Sequence, residues 1–228
     1  MERGYKNLRE CIFKSPVNLS SLPESMRVIV NSYIPYSTGI EIECHMKHGM
    51  ELSECISFDR KVYGAGFIFT GFDMYEKRFR LHSGVQGLIE LYHMTEIAKE
   101  YFLLNSKSGI HYHIDMTDVY DYLPTECDYM TGKLPSIDIM FPWLLKELDE
   151  WGYTGNFNRR GIGVSKQWWV RPCEYLKTLE FRIGEMTFDY EVLVKRILHC
   201  QSIVKRIKKY LRKQNELKKQ EALGLLPF

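Results

Sequence analysis

Gly109-Ile110-His111-Tyr112-His113-Ile114-Asp115 decides how this chain is read. Successive side chains of a β-strand point to opposite faces. Ile110, Tyr112 and Ile114 therefore share one side, and His111, His113 and Asp115 the other. Two distant stretches repeat the pattern. In Gly39-Ile40-Glu41-Ile42-Glu43-Cys44-His45, the apolar side is Ile40, Ile42 and Cys44, and the polar side is Glu41, Glu43 and His45. In Thr178-Leu179-Glu180-Phe181-Arg182-Ile183, Leu179, Phe181 and Ile183 oppose Glu180 and Arg182. An ordinary half-buried strand wets Thr, Ser, Lys or Gln, whereas these three carry carboxylate, imidazole and guanidinium. A single Glu-x-Glu or His-x-His is more often a solvated face. Three together point to one shared site on a sheet, with helices on the apolar side and a cleft floor on the polar side.

The 228 residues suffice for a sizeable core, and 45% hydrophobic with 26% charged residues is the balance of a soluble globular protein. No apolar run reaches membrane-spanning length, and Met1-Glu2-Arg3-Gly4-Tyr5 lacks the apolar region of a signal peptide, so a cytoplasmic location is expected. Cys11, Cys44, Cys55, Cys127, Cys173 and Cys200 include no C-x-x-C pair and are read as reduced. Charge is uneven. Residues 195–219 hold ten Lys or Arg against one acid, Glu216, and since the whole chain is +2 the remainder carries −7.

Met26-Arg27-Val28-Ile29-Val30 opens a predicted strand over about 26–33, and Pro35 turns the chain into the Glu41/Glu43 strand. Residues 62–82 read as further strands with turns or bulges at Gly64, Gly66 and Gly71. From about Gly84 to Leu104 the period becomes helical, with Leu88, Leu91, Tyr92, Thr95, Ala98 and Phe102 on one face. A loop is expected over 119–136 and a helix over about 137–151, with Ile137, Met140, Trp143, Leu144 and Leu148 inward. A glycine-rich segment, 152–166, carries Arg159 and Arg160. The last helix begins near Asp189, a fitting N-cap, and runs to about 221. With no repeat and no low-complexity linker, the expectation is one α+β domain over 1–228, ending in a basic amphipathic helix.

Carboxylates two apart on a strand converge and can hold Mg²⁺, a hard ion that prefers oxygen. Imidazole can ligate metal or hydrogen-bond phosphate. Arg182 offers a planar fork for a carboxylate or phosphoryl oxygen. The set suits phosphoryl transfer, in which metal and guanidinium offset charge on the γ-phosphate. There is no Walker A sequence, so a nucleotide site must be built on the sheet. In such an acidic site, neutralising Glu43 or Glu180 is expected to relieve repulsion.

Gly39-x-Glu41-x-Glu43, Ser108-Gly109-Ile110-His111-Tyr112-His113 and Leu179-Glu180-Phe181-Arg182 occur in the order and context of the glutamine-synthetase-like carboxylate–amine ligases. The chain most resembles the phage-type amidoligases of that superfamily, over about residues 38–205. The resemblance implies a curved antiparallel sheet with helices on its other face. The concave polar face takes ATP and two or more Mg²⁺ (or Mn²⁺), and an acyl phosphate intermediate leads to an amide. It implies Glu41, Glu43 and Glu180 as metal ligands and His111 near metal and phosphate, with His113 beside it. Arg182 then faces the transferred phosphoryl group. If phage-encoded, the protein works in the host cytoplasm. Gly71 to Arg80 departs from the family: Asp73 or Glu76 could complete the metal set, or Arg78 and Arg80 could bind an anionic substrate.

Other features have plainer readings beside functional ones. His45 shares the Glu41/Glu43 face, while His48 reads as a turn residue. Arg159-Arg160-Gly161-Ile162-Gly163 is either a phosphate cradle, which would make Arg159 and Arg160 cofactor-binding with His113, or a surface loop. Trp168, Trp169 and Arg171 read as core more readily than as an adenine platform. In the last helix Leu193, Ile197, Cys200, Val204, Ile207 and Leu211 form an apolar stripe for docking on the body or on a second copy. A homo-oligomer or protein partner through this helix stays open, as does nucleic acid on its basic faces, which are solvated by default. The apolar end, Leu223 to Phe228, is costly to leave wet. Small-molecule or peptide carboxylates and amines are the expected substrates, and no membrane is involved. Two rival readings remain: a zinc-dependent hydrolase using His111, His113 and a carboxylate, and a non-catalytic binding module.

Overall fold

Strand register converts the alternating pattern into paired side chains. The computed structural model describes residues 36–47, 67–71, 74–83, 85–105, 108–123, 141–150, 159–162 and 168–224. The expected strand at 26–33, the Pro35 turn, His48, Asp73, most of the 119–136 loop, residues 137–140 and the last four residues of the apolar end lie outside these. Contacts divide the chain into two compact units, Met1–Tyr112 with Gly184–Leu198, and His113–Ile183 with His199–Phe228. Antiparallel strand pairs and a long C-terminal helix make the fold α+β.

In the first unit, β1 (Thr38–Met46) pairs antiparallel with β3 (Met74–Leu81), and β2 (Phe67–Gly71) pairs antiparallel with β3 on its other edge. With β5 (Gly109–Asp115), the order is β2-β3-β1-β5. Ile40, Ile42 and Cys44 are fully buried while Glu41, Glu43 and His45 are only partly buried, which is the alternation expected for β1. Burial and the neighbouring Glu43 charge push the Cys44 thiol far above its usual range, so it packs as an apolar group.

Helix α1 (Val85–Tyr101) buries Leu88, Leu91, Thr95 and Ala98 as the periodicity requires, and Met94 with them. It stops short of the expected end at Leu104. Phe102–Leu103 turns extended as β4 and pairs with β1, placing Leu103 opposite His45, while Phe102 stays buried. A backbone ladder can replace the last helical turn without exposing that side chain. Glu90 is buried although charged, because its carboxylate accepts from the His82 backbone N–H at 2.8 Å and lies 2.6 Å from His82 Nδ1.

The final helix, α3 (Tyr190–Ala222), starts in this unit. Asp189 Oδ1 accepts from Val192 N–H at 3.2 Å, the N-cap contact the sequence expects. Tyr190 donates to the Leu88 carbonyl at 2.8 Å, and its ring meets Tyr92 edge-on. Just before the helix Gly184 sits at φ +103°, and an added Cβ would lie 3.1 Å from the Arg196 guanidinium. The positive φ is what calls for glycine there, since the neighbouring atoms belong to the end of a flexible side chain.

In the second unit the order is β5-β8-β7-β6, with β7 (Trp168–Cys173) and β8 (Thr178–Phe181) forming an antiparallel hairpin. Its register sets Arg171 opposite Glu180 and Cys173 opposite Thr178. Strand β6 (Arg159–Ile162) runs parallel to β7, so the sheet is not antiparallel throughout as expected. Helix α2 (Trp143–Glu150) buries Leu144 and Leu148, and the buried Phe141 ring before it packs edge-on against Tyr210 of α3.

The whole α3 stripe, Leu193, Ile197, Cys200, Val204, Ile207 and Leu211, is buried by this chain itself. Its basic residues are not simply a wet face. Arg206 pairs with Glu147 and stacks on Trp143, and Arg212 pairs with Asp118. Lys208, only 2% exposed, holds Asp118 Oδ1 at 2.5 Å. Burial raises the Asp118 carboxyl, but hydrogen bonds and charge from Lys208 and Arg212 outweigh it and leave it below the usual value. A lowered carboxyl stabilises the fold above the unfolded value of about 3.9, and that contribution is lost as pH falls through the folded one. Asp118→Asn is expected to cost about 1–2 kcal/mol at neutral pH, because it weakens the partner of a buried ammonium while the carboxylate itself is part-exposed. The difference between wild type and variant should shrink on acidification below about pH 4. Urea denaturation at several pH values measures both.

Candidate functional site

Two charged clusters contain most of the expected site residues, one in each unit. In the first, β1 and β3 register places Arg78 opposite Glu41, and Arg78 Nε lies 3.0 Å from Glu41 Oε1. His111 on β5, 4% exposed, sets Nδ1 3.3 Å from Glu41 Oε2 and Nε2 3.9 Å from Glu43 Oε2. Glu43 gets this close because Gly109 has no side chain: an added Cβ would lie 3.2 Å from Glu43 Oε2. Two part-buried carboxylates beside a buried imidazole bring metal-ligating side-chain types together in this cluster.

In the second unit, Glu180 is fully buried at 0% exposure. Arg182 Nη1 donates to its Oε1 at 2.6 Å, and Arg171 Nε lies 2.5 Å from Oε2. His113 Nε2 lies 3.8 Å from Glu180 Oε1, and its Nδ1 is 3.1 Å from Thr178 Oγ1. Both carboxylate oxygens therefore meet guanidinium, where metal was expected. A hard cation bound through charge alone has to compete with two arginines for Glu180.

Cys173 joins this cluster. One ligand atom each of His113, Cys173 and Glu180 lies within 4.8 Å of the others. Burial raises the Cys173 thiol, but hydrogen bonds from His113 and the Leu176 backbone, with the charges of His113 and Arg171, outweigh it and bring the thiol below its usual value. The scattered-cysteine reading missed it, and Arg171, read with Trp168 and Trp169 as core or adenine platform, was not placed beside Glu180. The alternation Trp169, Arg171, Cys173 was the available signal, but only hairpin register shows that this face meets Glu180 and Thr178.

Glu41, Glu43 and His111 thus come together, and His113, Glu180 and Arg182 come together. Arg78 pairs with Glu41, and Arg80 Nε bonds the Ser37 hydroxyl. Glu76 lies opposite Glu43 in the register. Arg159 and Arg160 lie on β6, with their side chains outside the described residues. The expected wet face is deeply placed instead: His111 and His113 are each 4% exposed, and β5 is buried along both sides from Ile110 to Ile114. Charged neighbours make that burial tolerable.

No family model, no curated protein and no solved structure matches the chain. Among the described residues no helix is long and apolar enough to cross a membrane.

Proposed function

We propose that the protein is an ATP- and Mg²⁺-dependent carboxylate–amine ligase. The supporting observation is the Glu41–His111–Glu43 cluster: hard oxygen donors on one strand, beside an imidazole from the strand whose sequence resembles the amidoligases. In this reading a substrate carboxylate oxygen attacks the γ-phosphorus of ATP, and the bond to the departing ADP oxygen breaks. An amine then attacks the acyl phosphate carbon, inorganic phosphate leaves, and the nitrogen loses a proton to give the amide. Bound Mg²⁺ supplies charge neutralisation for the triphosphate. Glu41, Glu43 and His111 hold it. Arg182, with Arg171, binds the transferred phosphoryl group, while His113, Arg159 and Arg160 contact the nucleotide. The curved sheet with a concave polar face belongs to this proposal.

Thermal melts with ATP test it. ATP is expected to stabilise the protein only with Mg²⁺ or Mn²⁺ present, by about 2.7 kcal/mol at one hundred times its dissociation constant. The Glu41 and Glu43 carboxylates otherwise repel the triphosphate. Equal stabilisation in excess EDTA would sink the metal assignment.

A further inference from the structure

Three donors of different softness meet in the second unit: the Cys173 sulfur, a His113 imidazole nitrogen and a Glu180 carboxylate oxygen, all mutually within 4.8 Å. From these we infer a site for a thiophilic divalent cation of the zinc class, separate in chemistry from the oxygen-rich Glu41–His111–Glu43 cluster; it takes His113 and Glu180 as ligands in place of the roles the ligase reading gives them. Mixed sulfur, nitrogen and oxygen donors favour zinc or cobalt over Mg²⁺, whose ligands are oxygens at near-octahedral positions. The set differs from the His111/His113 pair suggested by sequence, because it needs the sulfur.

The local fold holds all three donors in place. Cys173 and Thr178 are register partners at the turn end of the β7–β8 hairpin, and Thr178 Oγ1 sits 3.1 Å from His113 Nδ1, orienting the ring. Supporting hydrogen bonds of this kind set the direction of a ligating imidazole or carboxylate. Arg182 Nη1 donates to Glu180 Oε1 in the same way, and the Arg171 guanidinium adds an ion pair at Oε2. Each carboxylate oxygen has a further lone pair, so arginine contact and metal ligation are compatible. Two guanidinium groups nonetheless discourage a cation that binds by charge alone. A thiolate changes this, since its bond to zinc is strong and its charge joins that of Glu180 to offset the metal's. Three protein ligands leave the fourth tetrahedral position open for water or a substrate atom.

The test uses the full-length protein, without ATP, titrated with Co²⁺ and then Zn²⁺. The expected result is a near-ultraviolet sulfur-to-cobalt charge-transfer band that saturates at one equivalent and is displaced by Zn²⁺. Cys173→Ser should abolish the band. His113→Gln should weaken cobalt binding more than about 100-fold, beyond the 10- to 100-fold typical of losing a supporting contact. A band that survives Cys173→Ser overturns the proposal, since another thiol then carries it, and so does the absence of any band. Should the variants not fold, wild-type protein decides. One equivalent of Zn²⁺ should slow alkylation of Cys173 by iodoacetamide at least about tenfold, read by peptide mass spectrometry, and an unchanged rate rejects the site. Neither readout involves nucleotide, so failure here leaves the ligase proposal standing, and the reverse holds too.

Discussion

Glu180→Gln is expected to destabilise the metal-free protein by about 3–5 kcal/mol, the usual cost of removing one partner from a buried ion pair. Sequence alone predicts the opposite sign. A carboxylate grouped with other carboxylates should be relieved by neutralisation, giving an unchanged or slightly higher melting temperature. The structure reverses this because Glu180 is fully buried and each of its oxygens meets an arginine, Arg182 at 2.6 Å and Arg171 at 2.5 Å. Glutamine keeps the shape and one acceptor oxygen, but it presents an NH₂ group to one guanidinium and supplies no charge to either. Both arginines are only 16% exposed and cannot fully regain water without moving the hairpin. For a chain of this size the loss corresponds to a melting temperature lower by roughly 6–20 °C. Glu43→Gln is the control. Its side chain is 25% exposed, and its nearest charged contact among the described residues is His111 at 3.9 Å, so the melting temperature should hardly change. Equal melting temperatures for wild type and Glu180→Gln would return Glu180 to the role of a ligand waiting for its metal.

The sequence made legible what depends on one segment at a time. Alternation placed Ile40, Ile42 and Cys44 inside, the heptad-like stripe of α3 is buried where expected, and Asp189 caps the helix. What depends on two segments was hidden. Arg171 and Glu180, or Glu41 and Arg78, become partners only through strand register, and a one-residue slip would turn each to the other face. The last turn of α1 yields to β4 because pairing with β1 satisfies the same backbone groups, a tertiary effect that local helical period cannot reveal. Lys208 follows the same logic: its spacing on α3 reads as a polar face, and Asp118, 90 residues earlier, is what permits its burial. Cys173 was one of six scattered cysteines read simply as reduced until the hairpin set it beside His113. The chemistry-bearing residue types were therefore visible, and their partners were not.

Arg182→Lys is expected to be nearly as damaging to ligase turnover as Arg182→Ala, each by about 100- to 1,000-fold, with a smaller effect on the KM for ATP. The Arg182 fork has two tasks in the proposed reaction. Nη1 anchors it to Glu180 at 2.6 Å, and in the proposed reaction the guanidinium also meets phosphoryl oxygens as charge builds on them. A lysine ammonium is a single point on a shorter, differently directed stem. It can stay with Glu180 or reach the phosphate, but it cannot do both with fixed geometry. Stability separates the two tasks. Lysine retains a positive charge for Glu180, so Arg182→Lys should melt close to wild type, while Arg182→Ala leaves Glu180 to Arg171 and melts lower. The expected pattern is thus two variants that share a loss of turnover and differ in melting temperature. Turnover that recovers with lysine in step with the melting temperature would make Arg182 a structural counter-ion to Glu180. Full turnover in both would take Arg182 out of the chemistry altogether, and the phosphoryl-binding role would then have to rest on Arg171 alone.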